Sequence, residues 1–357
     1  MIPSYSPEGS PEFNGWMHET MLRIGTEVQR VLGENLVALI LGGGYGRGEG
    51  GMIVKDGRQM PYNDIDFTLV VNSKSKVSWD GLNAISSSFA SELTIHVDFS
   101  RPLTICDIEH WPCWLMWYDL LNGHIVINGP SDILTKHAPM SLRNPLPAIE
   151  GTRLLLNRGA GLLWALRVVR EIENSPDADF VRRNYYKCAL ALGDSLLIAY
   201  KRFTTAYRGR DILLEKLEQD EPGVAAFGLD SLYKQALKFK FRPDQLPSGD
   251  MKEDDIKVIA KQWGVVFLNV ESVRTGRSWS SLDEYVAWPG IREKDQHTIR
   301  LLPRNVARNL QLRRLSLQYP REALYRELPA LLGLTGKYDT FWPRKTESFL
   351  RVWDRFN

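Results

Sequence analysis

The stretch LGGGYGRGEGGMIVKDGRQMPYNDIDFTLVV, residues 41–71, decides how this chain is read. A glycine-rich turn stands about twenty residues ahead of two alternating aspartates, Asp64 and Asp66. The aspartates lie in an apolar run with Ile65, Phe67, Leu69 and Val70. Residues two apart on a strand point to the same side, so both carboxylates emerge together. Like charges at that spacing repel unless a cation stands between them. A set of hard oxygen ligands favours magnesium.

Further along, residues 92–100 read ELTIHVDFS. Leu93, Ile95, Val97 and Phe99 alternate with Thr94, His96 and Asp98, which predicts a half-buried strand. Asp98 then lies on a second strand, and paired strands run about 5 Å apart. Three aspartates from two strands suit a two-metal site, whose ions stand roughly 3.5–4 Å apart and clamp an in-line phosphoryl displacement.

Together these residues resemble the nucleotidyltransferase superfamily of DNA polymerase beta, the aminoglycoside nucleotidyltransferases and the minimal nucleotidyltransferases. That family carries a Gly-Ser turn, often an Arg-Gly-Glu, an Asp-x-Asp and a later third Asp. Here Gly43-Gly44 stands at the turn, Arg47-Gly48-Glu49 follows, and Asp64-Ile65-Asp66 and Asp98 supply the acids. Gly44 replaces the serine, which removes a hydroxyl contact to the triphosphate but leaves a backbone N–H free to approach closely. The resemblance covers roughly the first 130 residues.

The resemblance implies an α+β fold: a small mixed β-sheet nucleotidyltransferase domain followed by a larger all-α domain. It implies Asp64, Asp66 and Asp98 as metal ligands and catalytic residues, with two magnesium ions expected. Gly43, Gly44 and Arg47 would meet the nucleotide phosphates. The substrate would be an NTP, most simply ATP.

Other readings of the same segment are weaker. Gly46-x-Gly48-x-x-Gly51 matches a dinucleotide fingerprint, but residues 52–64 read as loop where that fold needs a helix. Val54-Lys55 after a glycine loop has no kinase catalytic-loop sequence downstream. Cys106, His110 and Cys113 offer three ligands at a spacing that no common zinc site uses.

The chain has 357 residues, 43% of them hydrophobic and 25% charged, as expected of a globular protein of two domains. A net charge of +2 gives no bulk case for nucleic acid and makes DNA an unexpected partner. Three cysteines provide no disulfide framework and fit a reducing cytoplasm. No apolar stretch reaches the roughly 18 residues that span a bilayer, so no membrane partner is expected.

The pattern along the chain predicts an irregular arm over 1–15 and a mixed helix-and-strand domain over 16–145, which the resemblance implies is a nucleotidyltransferase domain. Within that domain, helices are expected over 19–32, 79–89 and 114–121, and strands over 36–41, 64–71, 92–100 and 124–128. Helical patterns dominate beyond residue 146, so a helical domain is expected over 146–357; the resemblance implies that it forms a wall of an acceptor or nucleotide cleft. Its helices are expected over 149–172, 179–203, 224–241, 254–272, 304–318, 320–332 and 345–356. Arg182, Arg183, Tyr186, Lys187 and Asp194 share one helix and read first as its solvated face. Arg304, Arg308, Arg313 and Arg314 form a basic patch that suits RNA or an acidic partner, or a solvated face. Arg292-x4-His297 matches a pair found in helical RNases, although Pro289-Gly290 just before it does not suit a helix.

The expected activity is therefore transfer of a nucleoside monophosphate from an NTP to an acceptor, with release of pyrophosphate. A protein side chain or an RNA end, as in toxin–antitoxin systems, and a small molecule all remain open as acceptors. The alternative is a nucleotide-binding or scaffold protein on the same fold without turnover, for which Gly44 in place of serine is the main support.

Overall fold

The computed structural model describes residues 2–312, 315–335 and 341–355. The architecture is α+β: a small mixed sheet domain is followed by a larger all-α domain. The chain forms two compact units. One comprises Met1–Leu146 with Phe203–Asp211 and Leu237–Ser248; the other comprises Pro147–Arg202, Ile212–Ala236 and Gly249–Asn357.

In the first unit, helix α1 spans Pro11–Leu32 and strand β1 spans Leu36–Leu41. Gly43–Gly46 makes a single helical turn, α2. Strands β2, Met52–Lys55, and β3, Arg58–Pro61, precede β4, Ile65–Val71. Helix α3, Trp79–Leu93, leads to β5, Val97–Phe99. Helices α4, Ile105–Glu109, and α5, Leu115–Asn122, precede β6, Ile125–Asn128, and α6, Ile133–His137.

The main sheet has the order β5-β4-β1-β6, with β4 parallel to β5 and β1 antiparallel to both β4 and β6. Period-two alternation sorts β4 between two cores. Ile65, Phe67, Leu69 and Val71 face a cluster with α1 and α3. Val70 joins Ala38 and Ile40 in a second cluster with Leu120 and Leu121 of α5. Asp66 has the parity of Val70, so its side chain leaves the sheet on the α5 side.

Several elements differ from the sequence expectation. α1 begins at Pro11, eight residues before the expected start. Ser10 caps it by accepting from Phe13 N at 3.2 Å, and buried Phe13 and Met17 extend its apolar stripe. The segment read as a strand over 92–100 begins with the last two residues of α3, Glu92 and Leu93. Leu93 completes the buried stripe of Leu82, Ile85 and Phe89 on α3, Thr94 ends that helix in the left-handed region, and β5 keeps three residues. The expected loop over 52–64 contains the β2–β3 hairpin. Its turn is Asp56-Gly57, both at positive φ (51° and 74°), the Asp-Gly signal of a tight hairpin. No long helix follows the glycines, which removes the dinucleotide-binding alternative.

Among its described residues, every secondary-structure element of the second unit is a helix. α7, Ile149–Val169, packs most extensively on α8, Phe180–Ala199. α9, Arg210–Asp220, was not expected. The helix expected over 224–241 is two, α10, Pro222–Ala225, and α11, Asp230–Phe241. α12, Glu253–Thr275, and α13, Leu282–Ala287, follow. The helix expected over 304–318 is α14, Leu302–Gln311, and the last two are α15, Arg321–Leu331, and α16, Trp342–Asp354. Arg313, Arg314 and Phe356, which the expectations included, lie outside the described residues.

Candidate active site

The glycine turn follows directly from the end of β1. Gly42 N donates to the Asp66 carbonyl at 2.9 Å, so the turn is tied to the start of β4. Gly43 has φ +61°, and a Cβ there would stand 2.5 Å from Asp66 Oδ2. Glycine is thus required twice, for the left-handed backbone and for the room that the Asp66 carboxylate occupies. A Cβ at Gly44 would meet the Glu49 carbonyl and Gly50 Cα at 3.2 Å, so a larger residue at this turn would crowd the chain as it leaves the loop.

Asp66 and Asp98 are direct partners in the parallel β4–β5 pair. Residues in register on neighbouring strands point to the same side. Both are exposed, while Ile65, Phe67 and Val97 beside them are buried. Asp64 is also exposed and sits one residue before β4, where Ile65 N donates to the His96 carbonyl at 2.9 Å. The three aspartates therefore belong to one end of two adjoining strands. Among the described residues, no group of three or more His, Cys, Asp or Glu side chains is gathered so that it could hold a metal ion. The donor chemistry, all carboxylate oxygen, suits magnesium, and the backbone register brings together the pair Asp66 and Asp98.

Arg47 is held from two sides. Its Nε lies 3.9 Å from Glu49 and its Nη1 3.8 Å from Asp119. Its guanidinium stands 5.6 Å from the centre of the Tyr207 ring. Glu49 is buried, and its two oxygens accept from Tyr207 N and Arg208 N, each at 2.9 Å. The Arg-Gly-Glu segment thus secures residues 203–211 to the sheet domain. Sequence reasoning had no access to this, because the partner lies about 160 residues away.

Tyr45 was missed as well. Its buried hydroxyl donates to the Gly51 carbonyl at 2.7 Å and accepts from Tyr62 N at 2.9 Å and Asn63 N at 3.2 Å. Asn63 Oδ1 accepts from Gly51 N at 2.7 Å. Together they fix the backbone entering Asp64. Burial raises the Tyr45 phenol well above its ordinary value, so it stays neutral and able to donate. Tyr62 N also donates to the Gly51 carbonyl at 3.0 Å, so Tyr45→Phe leaves the Asn63 N–H to find a new partner. It is expected to lower stability by about 1–2 kcal/mol, read by urea unfolding.

The remaining candidates stand elsewhere. Cys106 Sγ is 3.8 Å from His110 Nδ1, and that nitrogen lies 2.7 Å from the Cys106 carbonyl. In the helical unit, Arg182 pairs with Asp179 and Arg183 with Asp177. Tyr186 and Asp194, expected on a solvated face, are buried, and Asp194 accepts from the Tyr233 hydroxyl at 2.6 Å. Arg292 is buried too and donates to the carbonyls of Gly290, Tyr285 and Trp288. It clasps a loop, and it and His297 stand against the same buried carboxylate, Glu322, at 3.8 and 3.4 Å.

No family model matches the chain, and no curated protein matches it. Among solved structures, a nucleotidyltransferase-like protein from Exiguobacterium sibiricum 255-15 is similar at 12% identity and a TM-score of 0.28, over 82% of this chain and 92% of that one. A likeness at that TM-score carries no argument about this chain.

Proposed function

We propose that the chain is a magnesium-dependent nucleotidyltransferase that moves a nucleoside monophosphate from an NTP, ATP in the first instance, to an acceptor. The observation that carries this reading is the matched pair Asp66 and Asp98, exposed among buried neighbours beside a glycine turn that leaves room for one of the carboxylates. Carboxylates so paired favour a site for a divalent cation over a surface ornament, because their mutual repulsion needs an opposing charge.

The pair Asp66 and Asp98 would hold the metal, with Asp64 at the same strand end as a further carboxylate that would have to turn toward them. When bound there, magnesium supplies charge neutralisation for a triphosphate. Gly43 and Gly44 would offer backbone N–H groups to the phosphates. Asp98, on the outer strand, would take the proton from the attacking acceptor group. Arg47 would add positive charge on the side of the leaving pyrophosphate, within the limits set by its carboxylate neighbours.

The test is incubation of the protein with each labelled NTP and magnesium, alone and with cell extract. Release of pyrophosphate and label on protein, RNA or a small molecule would support the reading and name the acceptor class. Magnesium-dependent NTP binding with no pyrophosphate above an Asp66→Asn control would replace it with a non-catalytic nucleotide-binding protein.

A further inference from the structure

Residues 296–320 contain no aspartate, glutamate or lysine, yet carry Arg300, Arg304, Arg308, Arg313 and Arg314. The chain as a whole is nearly balanced, with 45 basic and 43 acidic residues. Within the segment, Leu302, Val306 and Leu310 recur every four residues and share one face of α14. A surface helix ordinarily turns such a stripe to the core. α14 instead buries Asn305 and Asn309, which are 1% and 2% exposed. Asn309 Nδ2 donates to the carbonyls of Asn305, Ser316 and Gln318, and Asn305 Nδ2 to that of Gln296. The aliphatic side chains are left in water: Ile299 is 86% exposed, Leu310 58%, Leu315 98% and Leu317 66%.

We propose that this segment docks on an anionic phospholipid surface. A run of 25 residues without a carboxylate complements a counter-surface that is negative throughout. A protein partner presents both signs and sets no such requirement. Arginine, used here to the exclusion of lysine, pairs with phosphate through two parallel hydrogen bonds. The exposed leucines and isoleucine separate lipid from nucleic acid. A single strand is gripped by aromatic stacking; here the one Phe, Tyr or Trp, Tyr319, is buried, and His297 is largely buried against Glu322. Aliphatic residues interspersed with arginine along one segment match the boundary between headgroups and acyl chains. No helix of the described residues is long and apolar enough to cross a membrane; docking at the surface departs from the expectation of no membrane partner, which rested on spanning length alone. It is independent of the nucleotidyltransferase reading.

The test is sedimentation of the full chain with vesicles of phosphatidylcholine alone, and of phosphatidylcholine with one quarter phosphatidylglycerol. Binding is expected to the mixed vesicles only, and to weaken with salt. Arg300→Gln is expected to weaken it about fivefold. Leu315→Gln with Leu317→Gln is expected to weaken it about tenfold or more without changing the unfolding temperature, since both side chains are largely exposed. Absence of binding to the mixed vesicles would overturn the proposal. So would binding indifferent to the leucine pair, or a preference for single-stranded RNA or for a synthetic acidic amphipathic peptide over the vesicles.

Discussion

The Asp66→Asn protein is expected to lose nucleotide transfer by about 10³-fold or more while keeping its fold. Asp66 is exposed, yet it lies in a strand whose other side chains are buried, so its carboxylate is not needed for packing. Asn keeps the shape and removes the charge. A surface change of this kind shifts stability by only about 0.5 kcal/mol. Its effect on chemistry is large, because a neutral amide binds a hard divalent cation more weakly than a carboxylate does and leaves Asp98 as the one charged member of the pair. Magnesium-dependent pyrophosphate release, measured beside a urea unfolding curve, separates the two effects. Wild-type turnover in Asp66→Asn would sink the catalytic reading.

Gly43→Ala is the second large expected effect, and it acts on fold and chemistry together. An alanine at φ +61° carries a backbone cost of about 1–2 kcal/mol. Its Cβ would stand 2.5 Å from Asp66 Oδ2, so the carboxylate must swing away. A displacement of about 1 Å in a reacting site costs on the order of 10²-fold in rate. The expected protein folds with a modestly lowered urea midpoint and turns over about a hundredfold more slowly. Gly57→Ala is the control: it shares a positive φ, with no atom within 4 Å of the added carbon. It is expected to show the stability cost without the loss of rate. Equal loss of rate in both variants would assign the effect to strain alone.

Much of the sheet domain was legible because its signals are local. β1 and β6 carry short apolar runs with clear ends, and the alternation of 65–71 sorts its side chains between two faces. The hairpin over 52–61 was also written locally, in Asp56-Gly57, but Pro61 and the polar residues around the turn resemble loop. The strand expected over 92–100 failed for a different reason. Leu93 fits both a period of two and a period near 3.6, and only its contact with the core chooses the helix.

By itself, the sequence determined the residue types and their local periodicity: the glycines that permit the turn, the alternating acids, and the α+β composition. It also determined the carboxylate-free arginine segment, which needs no folding to be seen. Only the tertiary structure decided that Asp98 stands opposite Asp66, that Asp66 lies over Gly43, and that α14 turns its asparagines inward. It also decided that Glu49 holds Tyr207 and Arg208, and that Tyr45 fixes the approach to Asp64. The physical reason is that periodicity is a property of neighbours along the chain. Register and hydrogen-bond partnership depend on which distant segments share the same core.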